Sequence, residues 1–341
     1  MSRQSELAEL SRIYDTAPLS NRNLIINGAM QVAQRGTSVT GNNSSGYLTC
    51  DRWNISGSIG TRTVTQQADA PEGYYNSLKI EITTAETSPS AGHAFAIEQR
   101  MEGQNLQMLK KGTANALPVT ISFWVKSNKT GTYILEIDDN DNSRNINKSY
   151  TVSSSGVWEY KTITFGGDTT GSLNNDNAHS LRVFFWLDAG SNFRGGTLAT
   201  SWESTTNANR AEGNVTFADT VGNTWQITGV QLEVGDTATP FEHRSYGDEL
   251  ARCQRYYTEA PGNTTTLMLR PDGFRFVPWY FPVTMRTAPT VAFGSYNPDG
   301  GSTSGATTAI EVNKVMLRSN GIESGSGRNP SFTDCTADAE L

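Results

Sequence analysis

An all-β protein built around a β-sandwich or jelly roll is what this sequence predicts, and three observations lead there. Gly, Ser, Thr and Asn are abundant while charged residues make up 18% of the 341 positions, a balance that suits short strands and polar turns. Apolar residues recur with period two through most of the chain. Turn clusters such as "SNKTG", "DDNDNS", "VSSSG" and "FGGDTTG" interrupt those runs at sandwich-like intervals. No segment repeats at a fixed period, so a solenoid or propeller is not expected. A chain of this length exceeds what one hydrophobic core usually serves, and two folded units are expected.

Taken in order, residues 5 to 14 place Leu7, Leu10 and Tyr14 on one stripe of a short amphipathic helix that needs a partner to be stable. Residues 1–20 are therefore read as a helical or extended attachment segment. Residues 21–244 form the jelly roll. In "LKIEI" the buried face is Leu78, Ile80 and Ile82, and in "TISFWVKS" it is Ile121, Phe123 and Val125. "LRVFFWL" sets Leu181, Val183, Phe185 and Leu187 on one face, with Arg182, Phe184 and Trp186 on the other, so both faces need cover. "WQITGVQLEV" changes phase at Gly229, as one strand with a β-bulge does.

Ser245 and Asp248 then resemble a helix-capping pair, and Leu250, Cys253 and Tyr257 make a helical stripe, giving a linker helix over 245–258. Residues 259–341 read as a smaller C-terminal β domain. Pro278, Pro282 and Pro289 confine its strands to edges, starts or bulges. So small a unit has little core of its own. The expectation is that Trp279 and Phe281 are covered by other copies of the chain, while Leu250, Cys253 and Tyr257 pack around a three-fold axis.

Composition and motifs exclude several functions. The net charge of -7, with no basic run, offers a nucleic acid little counterion-release energy. No apolar stretch is long enough for membrane insertion, and "MSRQSELAELSRIYD" lacks a signal-peptide core, so synthesis in the cytoplasm is expected. For the same reason the Asn128–Thr130 triplet carries no glycosylation meaning. Cys50, Cys253 and Cys335 have neither zinc nor disulfide spacing. The zincin, nucleophile-elbow, Walker and dinucleotide-binding motifs are absent.

Asp168, Asp176 and Asp188 are nominal glycosidase acids, set against the plainer reading of solvated loops. His93, His179 and His243 are read as ordinary hydrogen-bonded side chains. Asp138, Asn140 and Asn142 have the alternate oxygen spacing of a calcium loop but lack its glycine and distal glutamate. A structural calcium there competes with a solvated turn, and no other cofactor is expected. Trp124, Phe184 and Trp186, turned away from the apolar faces of their strands, are candidates for stacking sugar rings. The competing reading is that a second sheet, a loop or a neighbouring subunit covers them.

At "NLIINGAMQVAQRGTS", "DRW", "GVWEYKTITFGGDTTG", "GSNFRGGTLATSW" and "WQITGVQLEVGDTATPFEHRSYGDELARCQRYY" the chain resembles bacteriophage virion proteins, notably tail-fibre-like proteins of marine phages. The likeness covers most of residues 21–257. Its middle is also similar to jelly-roll carbohydrate-binding modules, through "WEYKTITF" and "ITGVQLEVG". Many such modules carry acidic residues before the last strand that help hold a calcium. Here Ile227, Thr228, Gly229, Val230 and Gln231 stand in that place.

The resemblance implies a non-enzymatic structural protein on the virion surface, assembled in the host cytoplasm. It would be a homotrimeric tail fibre or spike subunit, attached to other virion proteins through residues 1–20 and facing host-surface polysaccharide. A capsid or tail decoration or cement protein is the alternative, and a polysaccharide depolymerase the third reading. No sugar-binding residue transfers with the resemblance.

Overall fold

The computed structural model describes residues 21–260, 268–269, 275–297, 304–320 and 331–341. The segment 1–20, with its expected helix, lies outside the described residues. The chain divides into two compact units between Arg244 and Ser245.

The first unit is a jelly-roll sandwich of two antiparallel sheets. Its strands are β1 (Ser38–Asn42), β2 (Gly46–Tyr47), β3 (Asn54–Gly57), β4 (Thr61–Gln67), β5 (Ser77–Thr84), β6 (Ala94–Glu102), β7 (Val119–Ser127), β8 (Gly131–Asp139), β9 (Arg144–Val152), β10 (Glu159–Phe165), β11 (His179–Ala189), β12 (Glu203–Ser204) and β13 (Thr224–Val234). One sheet has six strands in the order β1-β4-β5-β13-β7-β10, and the other seven in the order β12-β9-β8-β11-β6-β3-β2.

Period-two patterning decides which side chains meet between the sheets. Leu78, Ile80 and Ile82 from β5 and Ile121, Phe123 and Val125 from β7 share one core with Leu181, Val183, Phe185 and Leu187 from β11. Phe185 lies at its centre, edge-on to Phe123 at 5.1 Å between ring centroids and tilted to Trp225 at 6.0 Å. The phase change in β13 is a bulge: its pairing with β7 shifts between Thr228 and Gln231, and Gly229 takes φ 62°. The extra residue keeps Trp225 and Ile227 on the same inner face as Val230, Leu232 and Val234. Without it the second half of the strand would turn its apolar residues outward.

The outer face of the seven-stranded sheet also buries side chains, many of them charged. Glu136 of β8, fully buried, accepts from the Arg210 guanidinium at 2.6 and 3.0 Å, from Trp186 Nε1 at 2.8 Å and from Asn147 Nδ2 at 3.2 Å. Arg210 belongs to the long connection between β11 and β13, which lays Phe193, Leu198 and Ala211 over Phe184, Trp186, Ile134 and Ala96. Beyond that cover, Glu98 accepts from Arg100 at 2.6 Å and from Arg182 at 3.0 Å, and Arg182 also pairs with Asp138 at 3.0 Å. Charges out of water are tolerated only when paired in this way.

The second unit opens with helix α1 (Tyr246–Gln254), capped by Ser245, whose hydroxyl accepts from Asp248 N at 3.2 Å and donates to its carboxylate at 2.6 Å. Its strands are β14 (Tyr257–Glu259), β15 (Met268–Leu269), β16 (Arg275–Tyr280), β17 (Thr290–Ala292), β18 (Ser295–Asn297), β19 (Ser304–Thr308), β20 (Lys314–Asn320), β21 (Ser331–Thr333) and β22 (Thr336–Asp338). They form small antiparallel sheets ordered β14-β22-β17, β15-β16-β20-β19 and β18-β21. β16 pairs with β20 along its whole length, while β15 reaches only Arg275 and Phe276. Pro278 therefore has a ladder partner on one side alone, among the described residues, which suits a residue with no N–H to give.

Two expectations for this unit are corrected. Trp279 and Phe281 do not wait for another copy: they lie in the unit's own core with Val277, Met285, Val315, Leu317 and Phe332. Their rings meet edge-on at 5.0 Å. The reason is local, since Phe281 N donates to Asn313 O at 2.9 Å and Met285 N to Val312 O at 2.7 Å, folding the proline-rich segment over the sheet. Tyr257 is not on the helix. α1 ends at Gln254, and Tyr257 begins β14 opposite Asp338, with its hydroxyl bonded to Glu259 at 2.7 Å. Cys253 is fully buried within the single chain, so of the expected inter-chain stripe Leu250 alone is partly exposed.

Two outcomes follow from the buried polar groups. Arg210→Met leaves Glu136 uncompensated in a dry site, and urea unfolding should show a loss of about 3–5 kcal/mol, with part of it restored by adding Glu136→Gln. His179 is held neutral, because burial first and the charges of Arg182, Arg100 and Arg52 next push its pKa down to about 3, Asp141 opposing them. A base depressed in the folded state stabilises the fold above its unfolded value, near 6.5, and that contribution is lost as pH falls toward 3. Unfolding midpoints measured between those limits should drop more steeply for the wild type than for His179→Gln.

Candidate functional site

Opposite the shared core, the six-stranded sheet presents an aromatic and polar face. Tyr160 of β10 stands directly across from Trp124 of β7, with ring centroids 5.2 Å apart. Alternation puts both on the outer side, because Phe123 and Val125 point inward. Tyr160 is 46% exposed and Trp124 half-buried. On the other flank of Trp124, Thr228 of β13 occupies the paired position. Its side chain is fully buried, and its hydroxyl has no hydrogen-bond partner.

Two turns raise walls beside this floor. The β4–β5 connection sets Tyr74 over Gly229, where a Cβ would come within 2.7 Å of the Tyr74 ring. The bulge glycine is thus required by the ring above it as well as by its positive φ. Tyr74 packs edge-on to Phe241 at 5.3 Å and against His243 at 5.5 Å. Burial pushes its phenol up to about 12, and the nearby Tyr160 adds to the effect. The β9–β10 connection brings in Trp158, whose ring covers the Lys126 ammonium at 5.0 Å and whose Nε1 reaches Asp69 at 3.4 Å. Lys126 and Asp69 form an ion pair. Burial alone would raise the Asp69 carboxyl, and the Lys126 hydrogen bond and charge outweigh it and hold it low. Tyr75, next to the Tyr74 wall, is 75% exposed.

Flat half-exposed rings beside hydroxyls and amides suit a ligand with both apolar faces and many hydroxyl groups. Sugars are that chemistry. Of the three residues expected to stack sugars, Trp124 alone lies on this surface. Phe184 and Trp186 sit on the other sheet, 3% and 0% exposed, sealed by the connection that carries Arg210. Their rings contact each other at 4.7 Å, and the Trp186 N–H is used by Glu136. This corrects the expectation: cover by a loop, the competing reading, is what the structure has. Sequence periodicity missed Tyr74, Trp158 and Tyr160. The first two stand in turns, where no alternation marks them, and the third shares an edge strand with only two inward apolar residues, Ile163 and Phe165.

The calcium candidates do not converge. Asp138 points to Arg182, Asn140 Nδ2 donates to His179 O at 3.1 Å, and Asn142 Nδ2 donates to Asp139 at 2.9 Å and Ser172 O at 3.0 Å. Oxygens do gather nearby, around the Lys111 ammonium. It is bonded to Asp139, to Asp168 at 2.9 Å, to Gly171 O at 2.9 Å and to Thr170 O at 3.2 Å, with the Trp202 ring 4.9 Å away. A lysine holds that cage together, not the alternate-spaced loop.

The nominal glycosidase acids are committed to other contacts. Asp168 also binds Arg144 at 2.8 Å, Asp176 accepts from Ala178 N at 3.0 Å, and Asp188 takes Ala218 N and Ala189 N, each at 2.8 Å, and Arg194 at 3.0 Å. His93 lies 3.9 Å from Glu86, His179 is beside β6, opposite Glu102, and His243 packs on Phe241 at 4.9 Å. The three histidines are not gathered into one site. No group of three or more metal-binding side chains occurs among the described residues, and no helix among them is long and apolar enough to cross a membrane.

No family model and no curated protein matches the chain. Among solved structures it is similar to the enzymatically active domain of tailspike protein 4 of bacteriophage CBA120, with TM-score 0.35 and 15% identity over 62% of this chain and 21% of that one. The chain thus spans about a fifth of that tailspike structure. A family 61 carbohydrate-binding module in complex with β-1,4-galactotriose gives TM-score 0.31 and 12% identity over 63% of this chain and 99% of that one. A family 11 module from Clostridium thermocellum, in complex with a β-1,3-1,4-mixed-linked tetrasaccharide, gives 0.30 and 13% over 60% and 98%. Similarity at this level transfers neither a residue nor an activity.

Proposed function

We propose that this chain is a non-enzymatic structural protein of a phage virion, a homotrimeric tail fibre or spike subunit, and that it contacts host-surface glycan through the outer face of its six-stranded sheet. One observation carries the binding role: the half-exposed platform of Trp124 and Tyr160, walled by Tyr74 and Trp158. The virion setting rests on the likeness of the stretches within residues 21–257 to tail-fibre-like proteins. Trimerisation suits such a face, because several weak sugar contacts on one rigid particle multiply into useful avidity.

With Trp279 and Phe281 committed to the core, other residues must join the copies. Tyr280, Ile310 and Val312 are candidates: they are 67%, 36% and 39% exposed on the second unit. Tyr280 pairs with Lys314, close in sequence to Val312.

Affinity electrophoresis through host polysaccharide tests the binding role. Replacing Trp124 and Tyr160 together by Ala should weaken retardation at least about fivefold, since each stacked ring contributes about 0.5–1.5 kcal/mol beyond its buried area, while the melting curve stays cooperative. Unchanged retardation removes the platform from the function. Static light scattering of the full chain should report three subunits, and a monomer at micromolar concentration contradicts the trimer.

A further inference from the structure

The same platform also specifies the charge class of its ligand. Among the described residues, the outward positions of the six strands carry two cations, Lys79 on β5 and Lys126 on β7. Both are neutralised in place. Lys79 pairs with Glu81, two residues along the same strand, at 2.7 Å. Lys126 pairs with Asp69 and is also roofed by the Trp158 ring. The arginine of β4, Arg62, does not reach this face: it shares the inward parity of Val64 and is fully buried, its guanidinium lying over the Phe95 ring at 4.5 Å and donating to Ser44 O and Gly57 O. Lys161 has the opposite parity to Tyr160 and pairs with Glu159 at 2.6 Å.

A sulfate or uronate arriving at Trp124 would find no uncompensated lysine or arginine at the outward positions of the six strands, among the described residues. It would meet two closed ion pairs, Lys126 with Asp69 and Lys79 with Glu81, on a chain of net charge -7. Paired cations repay little of the cost of stripping water from an anion, and the net negative charge of the chain adds no attraction. The exposed polar groups of β10 beside the rings, the hydroxyls of Tyr160 and Thr162, are uncharged, while Ser122, Gln226 and Thr228 are buried beneath them.

We infer that the ligand of this face is an uncharged polysaccharide, a polymer of neutral hexose or pentose units, and that acidic or sulfated glycans are excluded. The inference rests on the glycan-binding reading above and narrows it. Binding held by ring stacking and neutral hydrogen bonds has little Coulombic content to screen, so its strength is independent of salt.

The test is affinity electrophoresis of the full chain through neutral polymers (β-glucan, xylan, galactan, mannan) and through anionic ones (alginate, a sulfated galactan). Each is run at about 20 mM and about 500 mM NaCl, where the Debye length falls well below the platform's dimensions, with Trp124→Ala alongside. The expected result is retardation by at least one neutral polymer, lost in Trp124→Ala and changed less than about twofold by salt, with no retardation by either polyanion. Retardation by a polyanion that fades with salt and disappears in Trp124→Ala overturns the charge class but keeps the platform as a glycan site. Absence of retardation by every polymer overturns both.

Discussion

Glu136 and Arg210 hold the sandwich in the form described. The carboxylate stands on β8, beside the central strand β11 of the seven-stranded sheet, on the side turned away from the shared core, where isolation would be intolerable. The guanidinium that satisfies it comes from a connection of more than thirty residues between β11 and β13. That connection is drawn down across the sheet, and Phe184, Trp186, Phe193 and Leu198 fill in beneath it. A single buried ion pair thereby converts what would have been an open apolar strand face into a second core. The corollary concerns the other sheet: with one outer face closed, the exposed aromatic surface of the jelly roll is the one around Trp124.

Much of the sandwich was legible in the amino-acid pattern because two-residue alternation is a direct image of a strand with one buried face. β5, β7, β11 and β13 all follow it, and the change of phase at Gly229 marked the bulge. What alternation cannot say is which partner covers an outward ring. Trp124 and Trp186 look alike in sequence, each an aromatic on the polar side of an apolar strand. They differ because a distant arginine brings a loop over one and a tyrosine on a neighbouring edge strand leaves the other half open. Tyr74 and Trp158 were unreadable for a related reason: turn residues are placed by the ends of their strands and leave no periodic trace.

In the second unit the pattern misled in an instructive way. Prolines and aromatics crowded between 278 and 289 suggested strands too broken to build a core. The chain instead ties the proline-bearing segment to the turn before β20, using Asn313 and Val312 carbonyls as acceptors, so that Phe281 and Met285 join Trp279 in one core. Tyr257 was placed on the helix by its spacing from Leu250 and Cys253. A helix reads that spacing only while it lasts, and this one ends three residues earlier.

The contrast between the sealed sheet and the open one bears on how such a chain can change over generations. Residues beneath the Arg210 connection are bound to one another by charge and shape, so replacing one demands that several change together. Around Trp124 the outward side chains of β10, Tyr160 and Thr162, are exposed, and a change there disturbs few neighbours. That open edge can therefore be reworked one codon at a time, while the same skeleton stays underneath.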